Sequence, residues 1–235
     1  MRGDSEPKPV LAITGLAVEA RIAAGPGIDV VCSGSDPARL RALLDRLDPY
    51  RYSAVISFGI SGALDPALRP GHIVVAAQIK WETETLPLAP KLAQALTERL
   101  SGNGKDASCA IIVGANAPVM EAASKASLRE QTGASAVDME SHLAARFGAA
   151  AGLPVCAVRV ISDPAERSLP LVAARALRAN GRIDLPAICS GVARNPHQIP
   201  LLIKAGLDAR TALVTLRRVR GLLEPGLGFG GADLR

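Results

Sequence analysis

Carboxylates follow two of the predicted strands and begin one of the predicted helices. Glu19 lies in the segment after the first strand, Asp163 directly follows the last strand, and Glu140 starts a helix after Val137-Asp138-Met139. Such side chains act as general acids, general bases and hydrogen-bond acceptors for polar substrates. Because ligands of open parallel sheets bind beyond the carboxyl ends of the strands, these groups predict one small-molecule site.

The same residues also have structural interpretations. An aspartate before a proline, as at Asp163 and Pro164, is common in a turn at a strand end. A carboxylate in the first turn of a helix, such as Glu140, is favoured by the helix dipole. Position alone therefore indicates a polar site and no particular reaction.

The elements that must position these groups alternate between apolar runs of strand length and periodic segments of helix length. This alternation predicts a single α/β domain with a central mixed, mostly parallel twisted sheet flanked by helices. The predicted strands span residues 10–14, 28–32, 53–58, 71–79, 108–113 and 155–161. Predicted helices begin near residues 36, 88, 121 and 140, residues 15–27 are a predicted loop, and residues 59–63 are a predicted turn.

The last fifty residues are punctuated by prolines and predict two or three helices rather than further strands. We expect an α/β domain over residues 1–195. A helical extension over residues 196–225 is expected to pack on the same domain, and the Gly-rich tail at 226–235 is expected to be flexible.

Composition excludes several classes of protein. The net charge is only +5, without a run of like charges, and aromatic residues make up 3% of the chain, so no nucleic-acid partner is expected. No 18-residue window is uniformly apolar, and the first residues lack the apolar stretch of a signal peptide. We therefore expect a cytoplasmic protein.

The four cysteines, Cys32, Cys109, Cys156 and Cys189, are widely spaced and form no C-x-x-C pair. This spacing argues against a zinc site and against a disulfide framework. We interpret the cysteines as small buried hydrophobic residues and expect neither a metal nor a bound cofactor.

Two stretches together resemble the purine nucleoside phosphorylase and methylthioadenosine nucleosidase superfamily. The first is the glycine-containing motif Ser57-Phe58-Gly59-Ile60-Ser61-Gly62-Ala63-Leu64, which continues through Leu68 to Val75. The second pairs Val137-Asp138-Met139-Glu140 with Val158 to Asp163, and Ser162 stands 22 residues after Glu140. The similarity spans roughly residues 9–175, and within the superfamily the chain most resembles the hopanoid-associated phosphorylases through Thr14 to Arg21 and its helical tail.

The resemblance implies cleavage of the bond between a purine-type base and ribose through a transition state with cationic character on the ribose. Asp163 would donate a proton to N7 of the purine, so it must be protonated when the substrate is bound, and Ser162 would orient it. Glu140 would accept hydrogen bonds from the ribose hydroxyls and place negative charge near the developing cation. Met139 would pack against the ribose.

Gly62 and Val137 complete the substrate contacts that the resemblance implies. Arg159, which stands between the Met139-Glu140 pair and the Ser162-Asp163 pair, is interpreted as a structural ion-pair or interface residue.

The nucleophile is left open by the sequence. By resemblance to the nucleosidases, Glu19 would activate water and give hydrolysis. By resemblance to the phosphorylases, Arg21 would bind inorganic phosphate as a co-substrate, with Gly15 and Ser61 nearby, and give phosphorolysis.

The chain departs from the superfamily pattern in three places. Ser57 and Ile60 stand where the phosphorylases usually carry an arginine and a serine, and residues 116–119 replace the phenylalanine that the nucleosidases place against the purine. The segment between Val75 and Leu88 is short and leaves the 5′ side of the sugar open. An open 5′ side is what a lipid-linked nucleoside such as adenosylhopane requires.

The C-terminal helices mix apolar residues with lysine and arginine, as in helices that lie on the inner face of an anionic membrane. The alternative is a helix pair that covers the core and exposes a basic face. One alternative function is a non-catalytic nucleoside-binding module. A second is a dinucleotide-binding oxidoreductase, but no G-x-G-x-x-G follows the first strand, which disfavours it. A homo-oligomer is the expected assembly.

Overall fold

A mixed sheet of eight strands forms the centre of the fold in the part of the chain that the structure describes. The computed structural model describes residues 7–102, 104, 106–170, 181, 186, 190, 198–224 and 226–229. The strands are β1 (Val10–Thr14), β2 (Ile28–Cys32), β3 (Ala54–Ala63), β4 (Ile73–Trp81), β5 (Glu84–Leu86), β6 (Ala107–Gly114), β7 (Ala136–Asp138) and β8 (Val155–Asp163). The helices are α1 (Ala17–Ala23), α2 (Pro37–Leu44), α3 (Pro90–Ser101), α4 (Ala122–Thr132), α5 (Ser141–Ala150) and α6 (Ile199–Leu222).

The strand pairing confirms the predicted mixed, mostly parallel sheet. Strand β1 lies between β2 and β3 and is parallel to both, and β8 is parallel to β3 on the other side. Strand β4 is parallel to β6, and β6 is parallel to β7. Antiparallel pairs join β3 to β7, β4 to β5 and β4 to β8.

Both faces of the sheet are covered by apolar residues. In β1, Val10 and Ala12 belong to the core on one face, whereas Leu11 and Ile13 belong to the core on the other. Helices α1, α3 and α6 contribute to the first core, and α2 and α5 contribute to the second. Strands that are buried on both faces have nearly continuous apolar sequences, which explains why their positions could be predicted.

The predicted start of helix α2 follows from local capping. The side chain of Asp36 accepts hydrogen bonds from the backbone N–H groups of Ala38 and Arg39, and Pro37 occupies the first helical turn. Helix α4 ends at Gly133, whose φ of 67° is a left-handed conformation that glycine adopts without strain.

The predicted turn at residues 59–63 is wrong, because β3 continues through it to Ala63. The backbone of this segment pairs with β8 on one side and, at its end, with β7 on the other, and its register shifts between Ser61 and Gly62. Pairing with two neighbours overrides the turn preference of the small residues. The predicted loop at 15–27 also differs, since residues 17–23 form α1.

The C-terminal helix is part of the domain core. Ala212, Leu216 and Val219 of α6 are fully buried in the core that α1 and α3 also cover. Leu227 and Phe229 are buried against the same core, so residues 226–229 are packed, unlike the flexible tail that was predicted. Within the last fifty residues, where two or three helices are predicted, residues 187–189, 191–197 and 230–235 lie outside the described residues.

The cysteine interpretation is correct for one of the three described cysteines. Cys156 is buried, whereas Cys32 is half-buried and Cys109 in β6 is exposed, and Cys189 lies outside the described residues. Across the described ranges, no helix is both long and apolar enough to cross a membrane.

Candidate active site

A cavity of about 400 Å³ opens where the parallel strands β1, β3 and β8 end. Its size is within the range of about 300–1,000 Å³ that is typical of small-molecule sites. The lining includes Ile60 to Gly62 of β3, Val137 to Glu140 around the end of β7, and Ser162 with Asp163 of β8. The location agrees with the prediction from the order of strands.

The cavity brings together most of the residues that the motifs predicted. Nine of them line it: Gly15, Glu19, Ser61, Gly62, Val137, Met139, Ser162 and the Glu140–Asp163 pair that the predicted chemistry needs. Their positions are those of one site, and their roles remain predictions.

Asp163 is the last residue of β8, and both of its carboxylate oxygens are held. The Ser162 hydroxyl donates to Oδ1 at 2.8 Å and lies 3.1 Å from the backbone oxygen of Ser61. Gly62 makes this arrangement possible, because a Cβ at that position would lie 3.1 Å from Asp163 Oδ2. Ser162 therefore has the orienting position that was predicted for it.

Lys125 on α4 holds the second oxygen of Asp163, and the sequence analysis missed it. Its Nζ donates to Asp163 Oδ2 at 2.5 Å and to the carbonyl oxygens of Pro164 and Arg167 at 2.9 and 3.0 Å. The lysine side chain is fully buried. In the sequence Lys125 resembles an ordinary exposed helix lysine, since only a three-dimensional contact distinguishes it.

Glu140 directly precedes α5 and lines the same cavity. The Ser33 hydroxyl donates to its Oε1 at 3.1 Å, and Arg159 Nη2 lies 3.4 Å from Oε2. Gly15 packs tightly against this carboxylate, because a Cβ there would lie 2.7 Å from Oε1. Burial raises the pKa of Glu140 to about 7, although the nearby Arg159 guanidinium lowers it.

Glu19 lies in α1, and its carboxylate accepts three backbone hydrogen bonds. The donors are the N–H groups of Gly15 at 2.9 Å, Leu16 at 2.7 Å and Ile60 at 2.7 Å. Burial raises the pKa of Glu19, while Arg159 and the three N–H donors oppose the shift. Converging backbone N–H groups of this kind form an anion-binding concavity, and here a side chain of the protein occupies it.

Arg159 in β8 is fully buried behind the cavity. Its Nε lies 2.6 Å from Asp138 Oδ2, its Nη2 lies 3.4 Å from Glu140 Oε2, and Nη2 also donates to the Ser57 hydroxyl at 2.5 Å. The structural ion pair predicted for Arg159 is therefore present, and it includes Glu140, whose carboxylate lines the cavity.

The predicted phosphate ligands are not brought together. Arg21 is exposed on α1, where its Nε donates to the Ala17 carbonyl oxygen, and it does not line the cavity. The predicted loop is a helix, so the guanidinium points along α1 rather than into the site. The Gly15 N–H is used by Glu19, and the Ser61 hydroxyl has no hydrogen-bond partner among the described residues.

Apolar side chains form the remaining walls of the cavity. Pro118, Val119 and Met120 line the cavity around the segment that, by the resemblance, replaces the phenylalanine of the nucleosidases. Among the described residues, no aromatic side chain lines the cavity. From α6, Leu202, Ala205, Gly206 and Ala209 also line the cavity. The described walls thus offer a ligand aliphatic rather than aromatic contacts.

The buried Glu140 predicts a pH-dependent stability. Because its pKa is raised in the folded state, the folded state favours the protonated form, and stability is lost as the pH rises from the ordinary value of 4.5 to about 7. We expect the free energy of unfolding of the wild type to fall relative to that of Glu140→Gln over this range. Urea denaturation of both proteins at pH 5 and pH 8 measures the difference, and an unchanged difference would contradict the prediction.

Comparisons with known proteins identify the family and the fold. Residues 11–183 match the family model described as the Phosphorylase superfamily. A comparison with curated protein sequences finds no match.

Three solved structures share the fold over nearly the whole chain. The 5′-methylthioadenosine/S-adenosylhomocysteine nucleosidase of Neisseria meningitidis is 15% identical with a TM-score of 0.66, covering 92% of this chain and 99% of that one. The corresponding nucleosidase of Helicobacter pylori is 15% identical with a TM-score of 0.63, covering 91% and 98%. The futalosine hydrolase of Helicobacter pylori is 16% identical with a TM-score of 0.62, covering 89% and 96%.

These similarities confirm the predicted superfamily and fold class, whereas the finer resemblance to hopanoid-associated phosphorylases stays a prediction. The chain belongs to the Phosphorylase superfamily and is an enzyme of its nucleoside phosphorylase or nucleosidase kind.

Proposed function

We propose that the enzyme cleaves the N-glycosidic bond of a purine nucleoside whose base is of the adenine type. The observation that carries the proposal is the placement of Asp163 and Glu140 on the walls of one cavity large enough for a nucleoside. A single bound substrate can then meet both side chains, one at the base and the other at the sugar.

Glu140 is suited to the ribose end of the substrate. An ionised carboxylate accepts hydrogen bonds from ribose hydroxyls, and its charge is close to the place where the sugar becomes cationic. Met139 lies beside it in the lining and offers an apolar contact to the sugar ring. The carboxylate is already fixed by Ser33 and Arg159, so little reorganisation is needed when the reaction occurs.

Asp163 is suited to the base. Its Oδ1 is fixed by Ser162, and a carboxyl group at this point can pass a proton to the departing purine. The solved relatives support an adenine-type base: the Neisseria meningitidis enzyme holds methylthio-immucillin-A, and a Helicobacter pylori enzyme holds a 4-amino-pyrrolopyrimidine compound.

The described residues favour water over phosphate as the nucleophile. Glu19, Asp138, Glu140 and Asp163 line the cavity, whereas no lysine or arginine of the described residues does. A phosphate dianion would be repelled by this wall, and Glu19 already occupies the three N–H donors that could hold it. Glu19, with a pKa raised by burial, can accept a proton from water.

One assay tests the reaction and the nucleophile together. We expect the purified protein to release free adenine from adenosine or a 5′-substituted adenosine at the same rate with and without phosphate, with the free sugar as second product. A strict phosphate requirement with a sugar 1-phosphate as product would show phosphorolysis, and the site would then need cations from outside the described residues. Failure to release base, with adenine still bound, would leave the non-catalytic binding module.

The apolar helix α6 supports a bulky apolar 5′ substituent, such as that of adenosylhopane. Leu202 lines the cavity, and Leu201, Ile203 and Leu207 on the same helix are 43%, 59% and 57% exposed. A long alkyl chain leaving the cavity would have an apolar surface to follow. In a series of 5′-alkylthio adenosines, kcat/KM should rise with chain length, and a fall would contradict this substrate class.

The same exposed residues support contact with the inner face of a membrane. Lys204 and Arg210 are exposed on α6 as well, but Arg220, which was predicted on the basic face, is buried and donates to the Ala23 carbonyl oxygen. Because α6 belongs to the core, truncation would unfold the protein, and Ile203→Ser with Leu207→Ser is the cleaner test. Loss of sedimentation with anionic liposomes would support the contact, and a wild type that does not sediment would exclude it. A homo-oligomer remains part of this proposal, to be measured by light scattering.

A further inference from the structure

Lys125 and Asp163 form a buried ion pair at the point where a protonated carboxyl group is needed. The lysine makes one hydrogen bond to the carboxylate and two to carbonyl oxygens, which uses all three N–H groups of an ammonium ion. A neutral amine beside a protonated Asp163 satisfies the same three contacts, because Oδ2–H then donates to Nζ and the two remaining N–H groups donate to the carbonyl oxygens. The shared proton can therefore lie on Nζ or on Oδ2, and in the first case the pair is an ammonium ion and a carboxylate.

An ionised aspartate cannot act as a general acid until it receives a proton. Ser162 donates to Oδ1, but a serine hydroxyl is a much weaker acid than an ammonium ion. The ammonium group of Lys125 touches Oδ2 directly and is closed off from solvent by full burial. It is the acidic group best placed to recharge the carboxylate.

We propose that Lys125 is a positioning residue for the reaction proposed above, on which this inference rests: it holds Asp163 in place and supplies the proton that Asp163 passes to the purine. Two conditions of the site support this role. Lys125 donates to one carboxylate oxygen while Ser162 donates to the other, and Asp163 lines the cavity whereas Lys125 does not.

The proton count closes over the whole reaction. The bond between C1′ and N9 breaks and its electron pair stays on the purine, which becomes more basic as its negative charge grows. Lys125 Nζ passes a proton to Asp163 Oδ2, and Asp163 passes that proton to N7. The water oxygen bonds to C1′, and the proton it loses goes to Glu19. Glu19 then carries one proton more and Lys125 one fewer, and exchange with solvent restores both.

Other ionisable groups around the pair have partners of their own. On α4, Glu121 accepts from the Ser168 hydroxyl and Arg129 lies 2.8 Å from Asp65. In the segment after β8, Arg167 pairs with Asp208 of α6 and Glu166 lies 3.8 Å from Arg69. Across the cavity, Arg159 pairs with Asp138 and Glu140, and Glu19 is bound by backbone N–H groups. The proton balance of Asp163 is therefore controlled mainly by Lys125.

Two substitutions separate proton supply from charge and from packing. Lys125→Met keeps the unbranched shape and removes the ammonium group. Lys125→Arg keeps the positive charge, but a guanidinium does not release its proton at accessible pH. Lys91→Met, at an exposed lysine of α3, is the matched control. The measurements are kcat against pH for adenine release, with adenine affinity and circular dichroism as checks on the site and the fold.

We expect both Lys125 variants to lose about 10²-fold or more in kcat near pH 8 while adenine affinity changes little. In Lys125→Met, Asp163 must itself carry the proton, so the alkaline limb of the kcat profile should move to lower pH. Lys125→Arg should be slow at every pH, and Lys91→Met should match the wild type.

Wild-type kcat in Lys125→Arg would overturn the inference, because it would show that charge without a transferable proton is enough. A uniform loss in Lys125→Met with an unmoved alkaline limb would overturn it as well, by showing a purely structural role. Should Lys125→Met not fold, the kcat of Lys125→Arg decides. A wild type that releases no base would instead overturn the proposed function and this inference together.

Discussion

Asp163→Asn is expected to lower kcat for adenine release by about 10²–10⁴-fold, the usual contribution of a general acid. The amide keeps the size of the side chain and an oxygen for Lys125 to hold, but it cannot pass a proton from Lys125 to the purine. KM should change much less than kcat, because the wall of the cavity stays in place. Single-turnover measurement of adenine release at saturating substrate isolates the chemical step.

Asp65→Asn is the matched control for this substitution. Asp65 also pairs with a cation, Arg129, but it does not line the cavity. Asp163→Asn should cost more stability, because its ion pair with Lys125 is buried while that of Asp65 is partly exposed, but only Asp163→Asn should lose rate. Equal rates in both variants and the wild type would remove Asp163 from the mechanism.

The order of elements and the superfamily motifs together predicted that Asp163 and Glu140 share a site, although strand β7 was not predicted. Asp163 ends a strand that is parallel to β3, and parallel strands place their carboxyl ends at one edge of the sheet. Glu140 reaches the same edge because β7 pairs with the end of β3, with Gly62 opposite Val137. The apolar runs and helix caps that fix these elements are local features, so they could be read from the sequence.

Lys125 could not be predicted because nothing local marks a buried lysine. It lies in a polar helix with little apolar periodicity, and its burial depends on the segment after β8 folding over it. The prediction that Arg21 lies in the site was wrong for the opposite reason. The sequence has a cation at a suitable position, but the residue lies in α1 and its side chain is exposed to solvent. Side-chain direction depends on the conformation of the backbone, which a motif does not specify.

The carboxylates of Glu19, Asp138 and Glu140 can coexist in the lining of the cavity because Arg159 lies among them. Asp138 and Glu140 each contact its guanidinium, and the same charge lowers the pKa of Glu19 against the effect of burial. Ser57 accepts a further hydrogen bond from it. Arg159 stands four residues before Asp163 in the same superfamily motif, so this motif also supplies the positive charge beside the three carboxylates.

Arg159→Met is expected to lower the free energy of unfolding by about 3–5 kcal/mol at pH 8, the range found when one partner of a buried ion pair is removed. Methionine fills most of the volume, but Asp138 and Glu140 are left buried without their counter-charge. The loss should shrink at pH 5, since Glu140, whose pKa burial raises to about 7, is then protonated and no longer needs the guanidinium. Arg69→Met removes a largely exposed arginine, 3.8 Å from Glu166, and should cost less than about 1 kcal/mol. Urea denaturation of the three proteins at both pH values measures these differences. Equal losses in the two variants, or a loss in Arg159→Met that is independent of pH, would show that the guanidinium is not what keeps the acidic cluster folded.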